Sequence, residues 1–453
     1  MTAHPYMANS TPELKQEMLD AIGAGSIEEL FAQIPASHRL QGELDLPPAL
    51  TSEVELSRHA RELLARNESC EDKLSFLGAG CWQHHVPAVC DEVVRRSEFV
   101  TPVWGTPASD YGRNQAWFEF CSQLGELLAL DFVGLPVYSW GCAAGHAVRM
   151  ASRINGRHEV LVPALLDPER VAVIRTYCEP RQMGSHLELV AFEELADLEA
   201  KLSDRTAAVY FENPTSLGVI ETRAAEIVRL AHDAGAEVVA GVDPISLGVL
   251  APPGDWGADI AVGTIQPLGV HMSCGGGVGG FIASRDEERY AREYPTLNIS
   301  LCDTVVPGER GFGVALFHQT SYGLREEGND WTGNSTYLWA IAAATYMSLL
   351  GPRGFEEVGS SILQRSHYAA SLLAEIPGVS VRSPDFFKEF VVSFDGVTVE
   401  EVNRGLRGHR IFGGKDLSRD FPALGQSALY CVTEVHSRGD IERLATALTE
   451  VLS

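Results

Sequence analysis

The feature that most restricts the fold is a series of seven short, almost wholly apolar runs between residues 115 and 285. They are "LPVYSW" (135–140), "EVLVP" (159–163), "LELVAF" (187–192), "AAVYFE" (207–212), "EVVAGVD" (237–243), "DIAVG" (259–263) and "GGFIAS" (279–284), separated by helical stretches such as "PERVAVIRTYCE" and "TRAAEIVRLAHDAG". A strand that is apolar at every position has both faces covered, and parallel strands need long crossovers. The alternation therefore predicts an α/β domain with a mostly parallel seven-stranded sheet between layers of helices. Past an apolar helix centred on 337–350 the pattern changes. Helix "FEEVGSSILQRSHYAASLLAEI", strands "VSVRS" and "EFVVSF", helix "TVEEVNRGLRGHR", strand "ALYCVTEV" and helix "DIERLATALTEVL" outline a small α+β domain. The expected division is a helical N-terminal arm over 1–70, the large α/β domain over 71–350 and the small domain over 351–453, with the turn signal "GPRG" at the second join.

In the arm, Thr11 is placed to cap a helix that has Pro12 at its first position and Gly23 as its stop, and Ser26 with Glu29 has the spacing of a capping box. Proline-rich "DLPPAL" (45–50) then leads to a helix near 51–66, a layout suited to wrapping over a neighbour. The formal net charge of −26 argues against nucleic acid or anionic membrane as partners, since both are bound by neutralising phosphates with Lys and Arg. "MTAHPYMANSTPELKQEML" shows neither a basic leader nor an apolar core, so a cytoplasmic location is expected. Nine cysteines without a C-x-x-C pair, and no H-x-x-x-H, predict reduced thiols and no metal site.

Three stretches can carry chemistry. "GGGVGG" (275–280) has the letters of a dinucleotide fingerprint, but a strand follows it where that fingerprint needs a helix, so a close-packed turn is the better reading. In "GVDPISLG" (241–248), Asp243 ends a central strand, where open α/β sheets bind ligands. Two roles stand for it: partner of the pyridinium nitrogen of pyridoxal phosphate (PLP), keeping the ring an electron sink, or a carboxylate capping the turn before Pro244. "SWGCAAGHA" (139–147) passes from strand to helix, so the amides of Gly141 and Cys142 can receive a phosphate or make a tight turn.

These pieces, in this order, resemble subunit 1 of the glycine cleavage system P-protein, the glycine dehydrogenase (decarboxylating) that is split into two chains. "STPELKQEMLDAIG", "IEELFAQIP", "DLPPALTSEVEL", "SFLGAG", "HHVPAVCDEVVRRSEF", "GVDPISLGVLAPPGDWGADIAVG", "SLLGPRGFEEV" and "CVTEVHSRGDIERL" carry the likeness. It implies PLP-dependent transferase fold type I, with the Schiff-base lysine on a separate subunit 2. Gln266 and Pro267, in "GTIQPLG", then lie near the position of that lysine, and the five lysines of this chain (15, 73, 201, 388 and 415) lie elsewhere. Lys415 is expected in a surface loop, and Asp243 as a relic or a structural residue.

Three segments depart from the family. Where it has the loop Y-T-P-Y-Q-P-E-I-S-Q-G, this chain has "TPVWGTPASDYGRNQ" (101–115); where it has Met-Tyr-Asp-Gly-Ala-Thr, this chain has "SWGCAAGHA"; and "REEGNDWTGNS" (325–335) replaces a Thr-rich turn. Trp104, Tyr111 and Trp140 are the candidate substrate-pocket residues these changes introduce, with Arg113 to grip a carboxylate and His146 to move a proton. The expected function is that of a lysine-less subunit of a heteromeric PLP enzyme that decarboxylates glycine and passes the aminomethyl group to a lipoyl carrier protein. The alternatives are a paralogous subunit acting on another amino acid in a biosynthetic pathway, and a non-catalytic partner that stabilises or regulates a PLP subunit.

Overall fold

Six of the seven apolar runs become strands of one sheet. A computed structural model describes residues 11–42, 44–99, 107–179, 186–273, 279–315, 324, 332 and 335–453, with backbone alone at 107–112. The sheet strands are β1 (Phe132–Val133), β2 (Glu159–Pro163), β3 (Glu188–Phe192), β4 (Thr206–Glu212), β5 (Glu237–Val242), β6 (Ile260–Thr264) and β7 (Gly280–Ser284). Their order is β1-β7-β6-β5-β4-β2-β3; β2 to β6 are mutually parallel, and β7 runs antiparallel to both β6 and β1. The run 135–140 is the exception. Only Val137 bridges to Gly280, and the edge strand lies earlier, at Phe132–Val133. Pro136 explains the difference, because it has no N–H to give to a ladder.

Both faces of the sheet are covered. On one, the helix Trp140–Asn155 packs Ala143, Ala147, Val148 and Ala151 against Val160, Tyr210, Val239 and Val262. Its small residues let the helix lie close to the strands. On the other, Ile227 and Val228 of helix Ala224–Asp233 cover Leu161, Val209 and Val238, while Phe120 and Leu124 of helix Pro107–Leu128 join Val242, Ala261 and Phe281. Each such side chain contributes about 1.5–3 kcal/mol on full burial.

The join at "GPRG" is tighter than a turn. The helix Tyr337–Ala374 runs through it, broken at Gly351 alone, which has φ 58°. A positive φ favours glycine, and Pro352 suits the start of the second half because a first-turn N–H has no helical acceptor. The small sheet that follows has the order β8 (Val379–Val381), β9 (Glu389–Phe394), β11 (Ser427–Cys431) and β10 (Lys415–Asp416), all antiparallel. Thr398 with Glu401 and Ser437 with Asp440 form capping boxes on its helices Val399–Gly408 and Arg438–Leu452. Lys415, expected in a loop, is in a strand, with Nζ 3.8 Å from Asp167 of the large sheet's flank.

Residues 1–68 and 69–453 form two units. In the first, Thr11 caps helix Pro12–Ile22 and Gly23 ends it with φ 71°, as the sequence predicts. The capping box at Ser26 does not form; Glu29 instead accepts the N–H of Gly25, and the helix is only Ile27–Leu30. Leu14, Met18 and Ile22 make an exposed stripe on the first helix, and Val54, Leu56, Leu63 and Leu64 are exposed on helix Glu53–Leu64. Among the described residues no helix is long and apolar enough to cross a membrane.

One glycine sets how the loop after β4 meets the small domain. Gly218 has φ +85°, and a Cβ there would stand 1.9 Å from the carbonyl oxygen of Glu389. Gly218→Ala is expected to cost about 2 kcal/mol or more of unfolding free energy, measured by urea denaturation; a loss below about 0.5 kcal/mol means that the loop does not seat against β9.

Candidate functional site

Parallel strands bring their C-terminal ends to one edge, so Glu212 ends β4, Asp243 follows β5, and Gln266 follows β6, side by side. Asp243 is buried, with Oδ1 accepting the N–H of Ile245 at 3.2 Å. Its other oxygen, Oδ2, lies 2.8 Å from Nζ of Lys388, the residue before β9 of the small domain. Lys388 is 2% exposed, its ammonium 3.4 Å above the centre of the Trp82 ring and 3.1 Å from Nε2 of His84. An ammonium has donors only, so Nε2 accepts and Nδ1 carries the proton, which it gives to Glu434 Oε2 at 2.8 Å. The N–H of His85 donates to the other Glu434 oxygen at 2.7 Å. Burial pushes the Glu434 carboxyl up, while the hydrogen bonds it accepts from His84 Nδ1 and the His85 N–H hold it below its ordinary value.

Beside this chain of groups, Arg170 stacks over Trp140 at 4.4 Å and pairs with Glu212 at 2.6 Å; Tyr210 donates to Glu212 at 2.6 Å. Trp140 meets Trp82 edge to face at 6.1 Å. Gln266 uses its amide fully, since Oε1 accepts from the Trp82 N–H and Nε2 donates to the carbonyls of Trp82 and Val270. It clamps the backbone of the residue whose ring covers Lys388. Trp82, Trp140, Arg170, Asp243 and Lys388 leave a cavity of about 20 Å³ between them, space for about one water.

The structure thus brings Asp243, Trp140 and, through Trp82, Gln266 to one place. Gly141 is buried against Val173, and the Cys142 amide donates to the Ser139 hydroxyl at 3.2 Å, capping the helix at this turn. Arg113 and His146 do not line this pocket: Arg113 is buried with its guanidinium 4.9 Å from the Trp117 ring, and His146 is buried edge-on to Tyr177 at 4.6 Å. Trp104 lies outside the described residues, as does the side chain of Tyr111. Lys388 and Trp82 lie outside the segments that carry the family likeness, and His84 and Glu434 lie in two that are far apart in sequence. The available signal was Lys388 itself, one of five lysines in the chain, at the mouth of an apolar strand.

The glycine cleavage system P-protein family model matches residues 5–446. The chain belongs to this family. It is 36% identical, over all of its length and 99% of the relative's, to the "Probable glycine dehydrogenase (decarboxylating) subunit 1" of Staphylothermus marinus. The protein of the same name in Desulfitobacterium hafniense is 37% identical over 98% of this chain and 99% of its own. A crystal structure of glycine decarboxylase (P-protein) of the glycine cleavage system, in inhibitor-bound form, superposes with TM-score 0.86 at 34% identity over the whole of both chains. A sphingosine-1-phosphate lyase of Burkholderia pseudomallei shares the fold at TM-score 0.64 and 13% identity. The architecture is PLP-dependent fold type I.

P-protein chemistry depends on PLP, yet the residues beside Asp243 do not fit that cofactor in this chain. The carboxylate is already paired with Lys388, the Gln266 amide is spent on the Trp82 backbone, and 20 Å³ of free space compares with roughly 300–1,000 Å³ for ordinary ligand pockets.

Glu434 has a clear pH signature. Its folded carboxyl is depressed, so its contribution is complete above the unfolded value near 4.5 and fades as pH falls toward about 2. Glu434→Gln should cost about 2 kcal/mol at neutral pH. In urea titrations the gap to wild type should narrow below about pH 4.5; a gap that is the same at every pH would show that the depression is absent.

Proposed function

We propose that this chain is the lysine-less half of a two-subunit, PLP-dependent glycine decarboxylase, with the cofactor held by a separate lysine-bearing fold type I subunit. The single observation that carries this reading is the whole-length likeness to subunit 1 proteins in a chain whose Asp243 pocket is closed. PLP supplies an electron sink for decarboxylation when bound to the partner. This chain contributes the fold and the interface, and a lipoyl carrier protein accepts the aminomethyl group. A cytoplasmic setting accords with the acidic surface and the reduced cysteines.

The arm supports a partner. Most of its large apolar side chains, including Leu14, Met18, Ile22, Leu63 and Leu64, are exposed in the single chain. Such a concentration of uncovered apolar surface marks an interaction site. A second copy of a chain of net charge −26 is a poor cover for it, which favours a different subunit. A second reading, a paralogous subunit acting on another amino acid, is supported by the altered segments at 101–115, 139–147 and 325–335. Arg113 and His146 are its test residues.

Two experiments follow. Borohydride reduction of the co-expressed subunits with PLP, then intact mass, is expected to give a pyridoxyl adduct on the partner alone; an active adduct at one of this chain's five lysines overturns the half-site reading. Removal of residues 1–68 is expected to abolish co-purification with the partner while circular dichroism of the remaining unit stays native. Undiminished co-purification places the interface elsewhere.

A further inference from the structure

Lys388 and Asp243 are buried opposite charges that join the two sheets. Asp243 lies beyond β5 of the large sheet and Lys388 before β9 of the small one, both essentially without solvent contact, at 2.8 Å. An ammonium taken out of water needs anions, acceptors or ring faces around it, and this one has each: the Asp243 carboxylate, the His84 Nε2 and the Trp82 ring. The shell around it is itself fixed. Gln266 holds both main-chain polar groups of Trp82, and Glu434 holds His84. Glu389, the next residue, is tied back through its carboxylate to the Ala79 N–H at 2.5 Å. What remains at the centre is a cation site of strand-end geometry with its cation supplied by the chain itself.

We propose that the Asp243 pocket is a primary-ammonium site permanently filled by Lys388, which locks the small domain onto the large sheet and excludes PLP from this chain. The site selects an alkylammonium on a slender stem: the shape of the lysine side chain is the shape of the hole it fills, and the Trp82 face and His84 leave no room for a ring. It rests on the half-site reading, which the same closed pocket supports, and its test reads the stability and PLP binding of this chain without its partner, so the lock can fail while the subunit pairing stands.

The test is a double-mutant cycle in the full-length chain, read by thermal unfolding. Lys388→Met, which keeps the stem and removes the charge, is expected to lower Tm by about 5 °C because it strands a buried carboxylate. Asp243→Asn should act likewise. The pair of changes together should cost clearly less than the sum of the two, because removing both partners strands neither charge. In Lys388→Gly, propylammonium chloride is expected to raise Tm above an equal concentration of sodium chloride, and to have no such effect once Asp243→Asn is added. Should Lys388→Met fail to fold, folding of the double variant supports the lock. Additive losses, or an equal propylammonium effect with and without Asp243, overturn it. So does a visible absorption band on adding PLP to the wild-type chain that disappears in Asp243→Asn.

Discussion

Two opposite charges cannot be left in a protein interior unless they meet, and the contact of Lys388 with Asp243 organises everything near it. The lysine stem comes from the small domain and the carboxylate from the large sheet, so the pairing fixes where the two sheets face each other. Trp82 supplies the ring face, His84 the acceptor, and Glu434 the far end of the relay. Burying such a pair gains little net energy compared with apolar packing of the same volume, but breaking it is costly. Its physical value is placement, since it ties the end of one sheet to the start of a strand in the other.

The position beyond β6 shows how one residue type changes the use of a site. A lysine has three donors and no acceptor, whereas a glutamine has two donors and an acceptor oxygen. Gln266 takes the N–H and the carbonyl of Trp82 together, which a lysine cannot do. Gln266 is a clamp on the backbone of Trp82 and Val270. With Asp243 already paired and the cavity reduced to about 20 Å³, the architecture of a PLP enzyme remains while its pocket in this chain is solid. Catalysis is then a matter for the assembled pair of subunits, which accords with the uncovered apolar stripes of the arm.

Much of the scaffold was legible from local pattern. "EVLVP" is a strand from Glu159 to Pro163, end for end, and Thr11 and Gly23 bound the first helix as their chemistry requires. The failures have local causes as well. Pro136 removes a donor from the run 135–140, and Glu29 turns to Gly25 and leaves Ser26 without its box. At the site, Asp243 and Trp140 were picked out and line one pocket, while Arg113 was picked out and lies over Trp117 one turn along its own helix, and His146 against Tyr177 of the next helix. His84 and Glu434 lie in segments that carry the family likeness, but nothing along the chain links them to Trp82 or Lys388.

Sequence alone determined the layers, the parallel core, the caps and the family, because periodicity, turn chemistry and motif order are properties of neighbours along the chain. Only the tertiary structure decided that the pocket is closed and by what. An ion pair between Asp243 and Lys388, or a hydrogen bond from Gln266 to Trp82, joins residues far apart in sequence. Such a contact has no period and no spacing; it exists only once the sheet edge and the small domain have been brought together.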